Sequence, residues 1–226
     1  MNPSGEPMAT SREEAEQRIR AYLQRTDRRG PARVVAAHRR WAHRLSYGRH
    51  AGPAAWNHRS AAVMVILSRG EHGWFIPLIV RPTTMRAHAG QVAFPGGSRH
   101  VDETAYECAV RETREELGVE PNCYRVLGPL SPISIYVSNF LVEPWLAVAE
   151  SGLALDPNPA EVAEVLEFPA AQLTDPSCYG EHRIERFGVD FQTPHLGYQN
   201  WRIWGATCSI LGELRDLLDE VDWPRS

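Results

Sequence analysis

Three glutamates on one helix, Glu112, Glu115 and Glu116, constrain this chain more than any other feature. They follow Phe94-Pro95-Gly96-Gly97 and lie in a stretch predicted helical from about Glu103 to Leu117. Gly118 then ends it, as glycine commonly does by taking the left-handed conformation. At i, i+3 and i+4 the three carboxylates leave one side of the helix. Like charges at that spacing destabilise a helix by about 0.2–0.5 kcal/mol per pair, so a compensating cation is expected. Arg111 is within i+4 reach of Glu115, but an Arg placed N-terminal to its Glu is the weaker orientation. A divalent cation with a preference for hard oxygen ligands is the better partner. Mg²⁺ or Mn²⁺ suits, because either keeps waters and also takes phosphate oxygens. Such an ion neutralises a pyrophosphate and lowers the pKa of a bound water. Gly96 and Gly97 let backbone and substrate approach closely at the helix entrance. Glutamates on a helix also occur on exposed, charge-rich helices, so this pattern alone leaves both readings open.

The rest of the chain supplies strands for that helix to pack on. Residues 61–67 form a short continuous apolar run, as in a strand buried on both faces, and 74–80 read as the returning strand after the turn at 69–73. Pro77 points to an edge or a bulge there. Further β-type runs lie at 124–127, 133–137, 140–148 and 162–168. A final stretch from Trp204 to Val221 carries Ile210, Leu211, Leu214, Leu217 and Leu218 as one helical stripe. Strands mixed with a few helices, without strict alternation, predict a mixed sheet between helical layers. Residues 1–58 read as a helical N-terminal extension to a domain covering 59–226. Ser11 and Glu14 form a capping box, Ala15, Ile19, Tyr22 and Leu23 a first stripe, and 33–45 a second helix with Val34, Val35, Trp41 and Leu45. Its Arg and His clusters are read as a solvated face rather than a nucleic-acid surface.

Charge and cysteine usage exclude several classes. A net charge of −4 argues against a general nucleic-acid or membrane-surface binder. All 24 cationic residues are Arg, which removes Lys-based Schiff-base and general-base chemistry. Cys108, Cys123, Cys178 and Cys208 form no CxxC pair, which fits a reducing compartment and gives no support to a zinc site. The N-terminus lacks the apolar core of a signal peptide, and no apolar run reaches membrane-span length. A cytoplasmic location is the expectation, and oligomeric state is left open.

The spacing carries a resemblance. Gly97, five residues, Glu103, seven residues, Arg111-Glu112, one residue, Arg114-Glu115-Glu116, one residue and Gly118-Val119 resembles the Nudix box at every fixed position. Thr113 stands where the family usually has an aliphatic or small residue. The resemblance implies an α/β/α sandwich with a mixed sheet. It also implies a hydrolase of phosphoric anhydride bonds in nucleoside diphosphate derivatives. It makes Glu112, Glu115 and Glu116 the metal ligands, with the Gly96 carbonyl as a further oxygen, and Arg111 and Glu103 supporting residues. In Nudix enzymes a glutamate from the region before a late strand often completes the metal site or accepts the water's proton. Glu161 fits that role better than Glu164, and a solvated loop carboxylate is the alternative for both. His182, His195 and Tyr198 are weaker candidates.

The residues before the box are similar to the coenzyme A diphosphatase branch of that family. Arg81, Arg86, Gly90 and Phe94-Pro95-Gly96-Gly97 fall on its fixed positions, while Pro82 and Ile79 depart from it. Asn200-Trp201-Arg202-Ile203-Trp204-Gly205 also looks like this branch. Coenzyme A carries a 3′-phosphate besides its pyrophosphate and so needs extra cations. Arg81, Arg86 and His88 are candidates, with Phe94 and Gly97 as further substrate-binding residues. The implied products are 4′-phosphopantetheine and 3′,5′-ADP. Two other readings stand beside this one. In the first, the substrate is ADP-ribose, a dinucleoside polyphosphate or an oxidised nucleotide. In the second, the domain is a non-catalytic Nudix sensor, although such domains tend to lose box glutamates that this chain keeps.

Overall fold

The computed structural model describes residues 12–24, 54–84, 90–186 and 188–224. The elements are α1 (Arg12–Gln24), β1 (Arg59–Gly70), β2 (Gly73–Val80), β3 (Val92–Ala93), β4 (Gly96–Ser98), α2 (Ala105–Leu117), β5 (Arg125–Pro129) and β6 (Ile133–Ile135). There follow β7 (Phe140–Ala149), β8 (Glu164–Pro169), β9 (Tyr179–Arg186), β10 (Val189–Tyr198), β11 (Trp201–Trp204) and α3 (Gly205–Glu220). The main sheet runs β3-β2-β1-β7-β5, with β4 on β1, β6 on β7 and β8 on β2. β1 and β7 are parallel from Arg59↔Phe140 to Ser68↔Ala149, and the other pairings in this sheet are antiparallel. The sheet is therefore mixed, as predicted.

The alternation of side chains along β1 explains the layering. Ala62, Met64 and Ile66 pack with Cys108, Ala109 and Leu117 of α2. Ala61, Val65 and Leu67 face the other way, into a cluster with Ile19 and Leu23 of α1 and Leu211, Leu214 and Leu217 of α3. One helix covers one face and two cover the other, an α/β/α sandwich. Each fully buried Leu or Ile stabilises it by roughly 1.5–3 kcal/mol relative to exposure. Pro77 lies inside β2, opposite Glu167 of β8. Its other flank falls between the β1 pairing, which reaches Phe75, and the β3 pairing, which starts at Ile79. The missing amide thus meets a gap in the ladder.

Antiparallel β9, β10 and β11 form a separate three-stranded sheet that the sequence pattern did not announce. Leu196 and Ile203 bury its inner face in the α3 cluster. The N-terminal helix joins the same core: Ala15 and Ile19 are fully buried, and buried Glu16 pairs with Arg125 of β5. Ser11 of the expected capping box and the expected helix at 33–45 lie outside the described residues. Among the described residues no helix is long and apolar enough to cross a membrane.

Candidate active site

Helix α2 is held at both ends by its own sequence. Thr104 accepts from the Glu107 amide while the Glu107 carboxylate accepts from the Thr104 amide, a reciprocal capping box. At the other end Gly118 takes φ 67° and its amide reaches the Arg114 carbonyl at 3.0 Å. Between these caps, Glu112 and Glu116 turn toward β4. Strand β4 is laid along β1 by the Ala62↔Gly97 and Val63↔Gly96 pairs. The Gly96 amide donates to Glu116 Oε2 at 2.8 Å. Any Cβ at Gly97 would collide with the Glu112 carboxylate, so glycine is what allows this approach.

The third carboxylate arrives from a distant segment. Asp156 and Asn158 donate their amides to the Leu117 and Glu116 carbonyls, which moors the segment to the last turn of α2. The Asn158 side chain then organises a turn, accepting from the Ala160 amide at 3.1 Å and donating to Glu161 Oε1 at 3.2 Å. The Ala163 amide bonds the Val80 carbonyl, and β8 begins. Carboxylate oxygens of Glu112, Glu116 and Glu161 consequently lie within 4.8 Å of one another. Arg81, just past β2, brings its guanidinium to 3.9 Å from Glu116 Oε1, and its buried Nε has no hydrogen-bond partner among the described residues.

Beside this cluster, Arg111 is a branching point. It holds Glu103 through two parallel bonds, 2.7 Å from Nε and 3.0 Å from Nη2. Its Nη1 donates to both Glu112 Oε1 and Glu115 Oε2 at 2.8 Å. A fork-to-carboxylate pair of this kind fixes orientation as well as charge. Glu115, with its side chain 49% exposed, is therefore engaged by Arg111, and the three-carboxylate group contains Glu161 in its place.

The titration behaviour follows from these partners. The Arg111 hydrogen bonds pull the Glu103 carboxyl down to about 2. Burial pushes Glu116 up to about 8, against the Gly96 amide, with the Glu112 charge adding to the rise. Burial likewise raises Glu112, offset in part by Arg111. Two neighbouring carboxylates that resist ionisation, a third within reach, and Arg111 already shared with Glu103 and Glu115 make an environment that a divalent cation would relieve. All three donors are hard oxygens, the set that Mg²⁺ and Mn²⁺ prefer.

The other expected site residues are spread more widely. Arg86 and His88 lie outside the described residues. Phe94 is 2% exposed and packs in the core cluster with α3, so its side chain serves the fold. Glu164 is exposed at the start of β8. His182, His195 and Tyr198 belong to the three-stranded sheet, with the Tyr198 hydroxyl on the Glu167 carbonyl. Sequence reasoning missed Asn158. Its position before Pro159 and three residues ahead of Glu161 is a turn signal that was there to be used.

Comparison with known proteins agrees with this geometry. A family model described as NUDIX domain matches residues 57–185. The chain is 36% identical over 162 residues to a protein of Klebsiella pneumoniae named uncharacterized Nudix hydrolase NudL, covering 71% of this chain and 83% of that one. An equally named protein of Escherichia coli K12 is 35% identical over 160 residues, covering 70% and 82%. Among solved structures, the Nudix hydrolase RenU of M. smegmatis superposes with a TM-score of 0.52 at 17% identity, over 80% of this chain and 94% of that one. The family match over more than half of the chain, the relatives above 30% identity and the glutamate helix seated against β4 together establish that the chain belongs to the Nudix hydrolase family.

Proposed function

We propose that the protein is a divalent-metal-dependent pyrophosphatase that hydrolyses coenzyme A to 4′-phosphopantetheine and 3′,5′-ADP. The observation that carries the chemistry is the meeting of Glu112, Glu116 and Glu161 with Arg81 beside them. Glu112 and Glu116 would hold Mg²⁺ or Mn²⁺, with Glu161 close enough to share it. The chemistry an ion supplies there is neutralisation of the pyrophosphate and acidification of a water. Glu115 and the Gly96 carbonyl remain candidate ligands from the box pattern.

The chain's own groups then have distinct tasks. Arg111, clamped by Glu103, fixes the direction of the Glu112 carboxylate. Gly97 leaves space for that carboxylate and for the phosphate next to it. Arg81 offers a cation to the anhydride oxygens and offsets the Glu116 charge. Glu161, tethered by Asn158, would take a proton from the attacking water. The water oxygen bonds to one phosphorus, the anhydride bond breaks to the oxygen of the other phosphate, and a proton leaves. The residues around Arg81 and Gly90 that resemble the coenzyme A branch support the choice of substrate.

One assay tests the reading. Hydrolysis with Mg²⁺ or Mn²⁺ is run on coenzyme A, its oxidised and acylated forms, ADP-ribose, a dinucleoside polyphosphate and oxidised nucleotides. Coenzyme A compounds are expected to give the highest kcat/KM. A preference for ADP-ribose would remove the coenzyme A assignment and leave the family's anhydride chemistry.

A further inference from the structure

Arg81 stands against Glu116, at the anhydride end of the site, so a substrate phosphate remote from the anhydride needs other donors. The three-stranded sheet offers them on one face. Its register places His182 opposite Thr193, His195 opposite Trp204 and Arg202 opposite Gly197. These residues share the side turned away from Leu196 and Ile203, which are buried with α3. His195 lies over Gly180, where a Cβ would come within 2.8 Å of its ring, and its Nδ1 is 3.2 Å from Nδ1 of His182. By the same register no carboxylate lies on this face over 180–184, 191–197 and 202–204. Arg202 is exposed and has no ion pair among the described residues. Thr193 is fully buried, and its hydroxyl has no hydrogen-bond partner among the described residues. Both imidazoles are held below their ordinary pKa by burial first. His182 is lowered further by His195 and then Arg202, and His195 by Arg202. By that register the described part of this face is short of negative charge.

Two features tie this face to phosphate and to the glutamate site. Trp204 opens α3 without a side-chain cap, so the first-turn amides of a 16-residue helix present the positive end of its dipole next to the cluster. Strand β11 packs beside β3, and the Thr207 hydroxyl donates to the Val92 carbonyl at 3.1 Å. Val92 pairs with Val80, the residue before Arg81.

We propose that this face is a second anion subsite that takes the phosphate monoester on the substrate's ribose. Arg202 is its principal cation, and the His182–His195 pair and the Thr193 hydroxyl are further donors. The proposal rests on the coenzyme A reading above and assigns that reading's remote phosphate a place.

The ligands 3′,5′-ADP and 5′-AMP differ only in that phosphate, so calorimetry with each isolates it. Wild type is expected to bind 3′,5′-ADP roughly 10–100-fold more tightly, the worth of a charge-assisted contact. Arg202→Gln and His195→Gln should each pull that ratio toward one, with Arg202→Lys keeping part of it. Far-UV circular dichroism confirms the folded state of each variant, and Arg202, being exposed, is replaceable without loss of the core. Equal binding of the two ligands by wild type overturns the subsite, as does a ratio that survives both variants. Hydrolysis separates this from the substrate reading. If wild type prefers ADP-ribose to coenzyme A while the binding ratio still depends on Arg202, the substrate reading falls and the subsite stands. If coenzyme A is preferred to its 3′-dephospho form and Arg202→Gln leaves that preference intact, the substrate reading stands and the subsite falls.

Discussion

Glu116 is a carboxylate that the fold has buried to 2% exposure with one backbone amide and one guanidinium for company. Its proton is bound more tightly in the native state, about 8 against an ordinary 4.5, so the sign of its pH effect is fixed. In metal-free protein its contribution to stability is complete below pH ~4.5 and is lost as pH rises through about 8. Thermal melts in chelator should therefore show Tm falling between pH 5 and 8, and Glu116→Gln should flatten that fall. Mg²⁺ binding requires the ionised form, so calorimetric affinity should rise across the same window with release of a proton. Glu103 behaves in the opposite sense: held near 2 by Arg111, its stabilising share is present above pH ~4.5 and lost as pH drops toward 2. In turnover, Glu116→Gln is expected to lower kcat by about 10³ or more with the fold intact. Near-normal turnover in that variant would count against its role. Glu161→Gln should cost less if the residue only assists, and an equal loss would make it the base.

At the scale of elements, the chain was most readable where a single segment holds the whole pattern. The α2 helix, its stop at Gly118 and the double-sided burial of β1 all follow from contiguous residues, and each is present in the fold. The meeting of Glu161 and Arg81 with Glu116 could not be derived from spacing, because it depends on how 156–163 docks on α2 and on where β2 ends, which are tertiary facts; only the family resemblance pointed to Glu161. Glu115 shows the same limit: charge repulsion at helical spacing called for a cation, and i+4 reasoning could not weigh Arg111, which already has Glu103 as a fixed partner. Strands β9 to β11 escaped notice because their outward positions mix His, Arg, Thr and Trp instead of a clean polar alternation. The Gly97 contact gives a direct check. Gly97→Ala would drive a methyl group into the Glu112 carboxylate, so calorimetry should show Mg²⁺ binding weakened about tenfold or more while far-UV circular dichroism stays close to wild type.

Taken as a whole, the molecule has two core clusters back to back, divided by one sheet, and α1 belongs to the same cluster as α3. The N-terminal helix is therefore part of the domain's stability. Ile19→Ala is expected to cost about 2–4 kcal/mol in denaturant unfolding, as large-to-small changes in packed cores do. Removing residues 1 to about 55 should lower Tm without switching the preferred substrate; a switch would show that the extension lines the site. The mooring of 156–163 on the final turn of α2 has a consequence for how the protein fails. Helix ends fray at a small fraction of the free energy of global unfolding. When that turn unwinds it releases the Asp156 and Asn158 amides, Glu161 leaves with them, and Glu116, itself in that turn, loses its seat on the Gly96 amide, while Glu112 one turn earlier stays behind. Heat inactivation should accordingly precede melting of the domain. Deuterium uptake at Asp156 and Asn158 should outpace uptake in β1 and rise in step with the activity that is lost.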